Sequence, residues 1–132
     1  MSKHFVLALA FSLFTLPMGL ARDSLKANKK VVTEFYNLAF NKHKPTEAAK
    51  KYVGNTYIQH NPHVPNGAEA FYGYFEPYFE KNTEAHVEIK RVLAEGDLVI
   101  LHVLSKSNKG DRGRAVVDVF RVKNGKILEH WD

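Results

Sequence analysis

Two periodicities divide the chain. From Ser24 to His43 the apolar positions Val32, Phe35, Tyr36, Ala39 and Phe40 recur at three- and four-residue spacing, the stripe of an amphipathic helix. Pro45 blocks its continuation. Thr46–Val53 forms a second, short helical stretch that Gly54 stops. Tyr57–Pro62 reads as a short extended piece running into a Pro/Asn/Gly loop that ends at Gly67. Ala68–Lys81 carries Phe71, Tyr74, Phe75 and Tyr78 on one stripe and predicts a third helix, kinked or shortened by Pro77.

After residue 85 the period falls to two. His86–Ala94, Leu98–Ser105, Arg114–Val122 and Lys126–Asp132 are rich in Val, Ile and Leu, and turn residues separate them. This predicts a four-stranded antiparallel meander. Helices followed by strands indicate an α+β domain, with about three N-terminal helices packed on one face of a curved sheet.

Asn124-Gly125 is the strongest hairpin signal. A two-residue turn there sets Lys123 opposite Lys126, Val122 opposite Ile127, Phe120 opposite Glu129 and Asp118 opposite Trp131. In the preceding hairpin, Ser107 opposite Gly113 brings Asp118 beside His102. Alternation then gives a helix-facing surface of Leu98, Ile100, His102 and Leu104, with Val116, Asp118, Phe120 and Val122, and with Ile127, Glu129 and Trp131. Val87, Ile89, Arg91 and Leu93 join it from the first strand. An Asp among apolar neighbours is costly to bury unless paired or protonated, and such a poised carboxyl is a candidate acid or base. A structural pairing with Arg91, His102 or a Tyr is the competing reading. The opposite face, with Val99, Leu101, Val103, Val117, Val119, Leu128 and His130, has no cover within the chain and suggests a homodimer.

The N-terminus stands apart. Lys3, the uncharged run Phe5–Leu16, and small residues at Gly19 and Ala21 before Arg22-Asp23 form the pattern of a secretory signal. Residues 1–21 are therefore expected to be removed, leaving Arg22–Asp132 as one exported domain, periplasmic or extracellular, with no stable membrane insertion. The 132 residues contain no Cys, which excludes thiol chemistry and Cys-ligated zinc. A formal charge of +5 is scattered over helix surfaces and indicates no nucleic-acid partner. No GxSxG, Walker A or GxGxxG sequence occurs, so no nucleotide cofactor is expected. Gln59-His60-Asn61-Pro62-His63 concentrates polar groups at a predicted pocket mouth. His60 and His63 lack further compact ligands, and no metal is expected there.

These segments, above all Tyr57-Ile-Gln-His-Asn-Pro62 and Asp118-Val-Phe-Arg-Val-Lys-Asn-Gly-Lys-Ile-Leu-Glu-His-Trp-Asp132, resemble the SnoaL-like polyketide cyclases, in particular the branch described as aldol-condensation enzymes. That family lies in the nuclear-transport-factor-2-like superfamily of cone-shaped α+β domains. The resemblance implies a cavity between the helices and the concave sheet, a small apolar carbonyl-bearing ligand, no cofactor, and dimers through the other face. It matches Asp118 to the family's acid/base and His102 to its assisting His. Gln59, His60 and Asn61 match a pocket-lining stretch, and Tyr36, Arg91 and Trp131 complete the candidate site. The superfamily also holds isomerases, dehydratases and non-catalytic binders, so enzyme, small-ligand carrier and interaction module all remain open.

Overall fold

The computed structural model describes residues 18–132. The apolar run of the expected signal, residues 5–16, lies outside them. The expected cleavage point at Ala21 falls in the first turns of the first helix. Among the described residues no helix is long and apolar enough to cross a membrane.

Helix α1 (Met18–Tyr36) passes into one π turn, Asn37–Asn41, closed by the Lys42 N–H donating to the Asn37 carbonyl at 3.0 Å. Helix α2 spans Pro45–Tyr52. The proline that ends the first helical stretch starts this one, because a missing N–H matters least in a first turn. Glu47 in its first turn and Lys50 and Lys51 in its last suit the helix dipole. Helix α3 (Ala68–Lys81) runs on through Pro77 rather than ending at it.

Five strands follow or intervene: β1 (Val53–Gln59), β2 (His86–Glu95), β3 (Leu98–Lys106), β4 (Arg114–Lys123) and β5 (Lys126–Trp131). They form one sheet in the order β1-β5-β4-β3-β2. The expected meander is present as β2 to β5. The extended piece at residue 57 is longer than expected and adds a fifth strand, parallel to β5, so the sheet is mixed. Three helices on a five-stranded sheet complete the α+β fold.

The core lies between the helices and one sheet face. Phe35 of α1 sits 5.3 Å from Phe71 of α3 and 6.1 Å from Phe120 of β4 (ring centroids). Val99, Leu101 and Val103 of β3 are fully buried on this face. That corrects the expected register. His102 faces Val117, and Asp118 faces Leu101, one residue out of the expected alignment. A one-residue shift reverses every side chain of a strand. Leu98, Ile100, His102 and Leu104 therefore lie on the outer face, and Val99, Leu101 and Val103 lie within. An extra residue in β2 between Ile89 and Arg91 sends Arg91 outward as well.

The last hairpin starts as expected. Asn124 and Gly125 both take positive φ, 51° and 73°, and Lys123 pairs with Lys126 and Val122 with Ile127. The register then slips at a bulge on Leu128. Arg121 pairs with Glu129, Phe120 with His130 and Val119 with Trp131. Beyond the bulge the faces exchange: His130 turns toward the helices, and Glu129 and Trp131 turn away.

The β3–β4 connection is fixed by Asp111. Its carboxylate accepts the backbone N–H groups of Ser107 and Gly113, each at 2.9 Å, and the Ser107 hydroxyl at 2.9 Å. Those two backbone donors, foremost that of Ser107, hold its pKa down at about 2. The folded state thus keeps the carboxylate charged where the unfolded chain protonates it, at about 3.8. Its stabilising effect is complete above pH ~4 and is lost as pH falls toward ~2. Asp111→Asn should accordingly unfold at lower denaturant than wild type at pH 6, and the gap should close by pH 2. A gap that stays constant with pH would show that the charge is not what holds the loop.

Candidate functional site

A cavity of about 510 Å³ lies between α1, α3 and the inner sheet face, lined by Phe40, Phe71, Phe75, Val116 and other apolar groups. Its polar groups converge at Asp118, which is 4% exposed. A carboxylate so deep needs partners, and it has two. The Tyr36 hydroxyl donates to Oδ2 at 2.8 Å, and His130 Nε2 lies 2.8 Å from Oδ1. Tyr36 comes from the last residue of α1, where the π turn begins. His130 comes from β5 by way of the Leu128 bulge.

The network continues. His130 Nδ1 lies 2.8 Å from Gln59 Oε1, and Gln59 Nε2 donates to the Tyr57 hydroxyl at 3.2 Å. An imidazole that donates to both oxygens is the imidazolium, ion-paired with Asp118. With the Gln59 amide turned, its NH₂ group donates to Nδ1 and the ring is neutral. The proton on His130 is thereby tied to the orientation of Gln59. The ring also stacks on Phe120, 4.7 Å between centroids, which fixes its plane.

The tyrosines remain phenols. Burial first, then the charge of Asp118, pushes the Tyr36 pKa far above its ordinary value. Tyr57 is shifted upward by burial, then by Asp118 and Asp132. Asp132 lines the cavity beside them, and Asn61 Nδ2 donates to its Oδ1 at 2.8 Å.

Asp118, His130 and Asp132 bring one ligand atom each within 4.8 Å of one another, a set able to hold a divalent cation. The existing hydrogen bonds already engage both oxygens of Asp118 and both nitrogens of His130. No buried side-chain nitrogen or oxygen among the described residues lacks a partner. The group is therefore complete without an ion.

Of the residues proposed from sequence, Asp118, Tyr36, Gln59 and Asn61 share this cavity. The other four do not line it. His102 is on the outer face, where Arg91 Nη1 lies 2.8 Å from its Nδ1. Trp131 is also outside, with His60 stacked on it at 4.4 Å. His60 Nε2 in turn contacts Glu129 at 3.0 Å, and Glu129 takes Arg121 Nε at 2.9 Å. Glu129 lies below the usual carboxylate range, first through His60 and then through Arg121. These residues tie the loop after β1 to the back of the sheet.

His130, Tyr57 and Asp132 escaped sequence reasoning. Simple alternation put His130 on the outer face, and only the bulge reverses it. The available signal was the pair Arg121 and Glu129. Placing these opposite charges side by side on one face requires the extra residue.

The fold is an α+β cone with an apolar-lined cavity under its helices. Residues 32–130 match the model of the SnoaL-like domain, and the chain belongs to that family. No curated protein matches the chain. Solved structures share its fold. One is a Bacillus cereus protein described as a polyketide cyclase, 23% identical, with TM-score 0.70, 89% of this chain covered and 80% of that one. Another is an LEH-like epoxide hydrolase from M. tuberculosis, 17% identical, with TM-score 0.63 and 83% of each chain covered. A third is a cystatin-fold protein from Novosphingobium aromaticivorans, 18% identical, with TM-score 0.61, 79% of this chain covered and 95% of that one.

Tyr36→Phe tests the pairing of the buried carboxylate. It removes one donor and leaves the ring. A hydrogen bond to a charged group contributes about 1.5–3 kcal/mol, so urea unfolding at pH 7 should show a loss of that size. Unchanged stability would show that Tyr36 is not needed to hold Asp118.

Proposed function

We propose that the cavity binds a small, largely apolar, carbonyl-bearing molecule and that Asp118 and His130 perform acid/base chemistry on it. The observation that carries this reading is a buried carboxylate, bonded to an imidazole, facing an apolar cavity. Asp118 takes a proton from the carbon alpha to the carbonyl. The C–H electron pair moves into the carbonyl, and its oxygen becomes an enolate. Tyr57 keeps its phenolic proton and supplies a hydrogen bond to that oxygen. Return of the proton to another carbon gives isomerisation, and attack of the enolate carbon on a second carbonyl gives aldol closure. His130, donating to Asp118, sets the carboxylate's basicity and orientation, the part first sought in His102. The similarity to a protein described as a polyketide cyclase supports this class of chemistry.

Deuterium exchange into propiophenone, followed by proton NMR, is a direct test. Wild type should speed exchange at the alpha carbon over buffer. Asp118→Asn should lose about 10²–10⁴-fold, the usual worth of a positioned base. Equal exchange by a folded Asp118→Asn would leave the cavity a binding site without this chemistry.

Export and self-association belong to the same proposal. Dimerisation is assigned to the outer sheet face as the structure defines it, with Val117 and Leu93 each 54% exposed. Val99, Leu101, Val103 and His130, first expected there, are inside. Native mass spectrometry of the protein from its own host should give a dimer of chains beginning at Arg22. A monomer, or a chain retaining Met1, would refute the corresponding part.

A further inference from the structure

The cavity is electrically lopsided. One end holds the buried carboxylate of Asp118 and the exposed carboxylate of Asp132. Its opposite end, where β2, β3 and β4 lie side by side, is lined by His86, Lys106 and Arg114. The register sets Arg114 opposite Ser105 on the inner face, whereas His86 and Lys106 pair with each other at positions that alternate outward with Leu104. Among the described residues neither Lys106 nor Arg114 forms an ion pair. Lys106 lies close enough to Glu88 and Asp111 to help hold both carboxylates low.

Arg114 shares the inner face of β4 with Val116 and Asp118. Four residues along a strand separate it from Asp118 by about 13 Å. Val116 and the aromatic groups of α3, Phe71 and Phe75, line the stretch between. An elongated molecule lying along this strand meets a cation, then an apolar wall, then the acid/base pair. The guanidinium fork matches a carboxylate, which accepts two parallel N–H bonds. The carboxylates of Asp118 and Asp132 repel such a head group and leave one orientation.

We propose that the ligand is an amphiphilic keto acid. Its carboxylate sits at Arg114, its apolar body passes Val116 and Phe75, and its carbonyl reaches Asp118. This rests on the reading of the cavity as a site for a carbonyl-bearing molecule, and it adds the anionic head and the direction of entry.

Isothermal titration of the whole protein with octanoate and with 1-octanol compares the same chain with and without the charge. Octanoate should bind at least about tenfold tighter. Arg114→Gln should bring octanoate to the level of octanol and leave octanol unchanged. Asp118→Asn should retain the preference, which separates this result from the fate of the catalytic reading. Equal affinity for the two probes, binding of neither, or a preference that survives Arg114→Gln would overturn the proposal.

Discussion

A carboxylate with 4% exposure in an apolar cavity is the constraint around which the remaining structure is arranged. Ionised and alone, Asp118 would be untenable there. Its two partners arrive from opposite ends of the described chain, Tyr36 from the helical layer and His130 from the last strand. The same two bonds that satisfy the charge also clamp helix α1 to the sheet. The π turn and the Leu128 bulge each add a residue to a regular element next to one of these partners. Such insertions re-aim side chains, and they are frequent beside functional sites.

In the proposed chemistry, the bonds that satisfy the charge also serve the reaction. The imidazole is bonded on one side to the carboxylate and on the other to an amide with two orientations, so a proton has a place to rest near the base. Two phenols with raised pKa values stay protonated: Tyr36 donates to Asp118, and Tyr57 accepts from Gln59. The apolar wall from Phe71 to Val116 keeps the pair in a medium where these interactions are strong. In the proposed reading, Arg114 at the other end of β4 gives the cavity a direction.

Much of the architecture was legible in the chain. The helix at Ala68–Lys81, the Asn124-Gly125 turn and the strand limits follow from periodicity and turn chemistry, which are local. The face of β3 was not legible, because both of its faces are apolar. Leu98, Ile100 and Leu104 alternate with Val99, Leu101 and Val103, and hydrophobic pattern alone does not choose between them. The loop from Ser107 to Gly113 decides, through the bonds of Asp111, and it shifts the pairing by one. Asp118 was found because a lone acid among Val and Phe is conspicuous. Its imidazole partner was misassigned for the same reason of register, and the bulge at Leu128 put His130 where His102 had been expected.

The account turns on which histidine holds Asp118. Long-range ¹⁵N–¹H NMR of histidine-labelled protein reports the ring nitrogens of each imidazole separately. Replacing Asp118 by Asn should move the His130 nitrogens and leave those of His102 in place. A shift at His102 with His130 unmoved would contradict the register, the bulge and the site built on them.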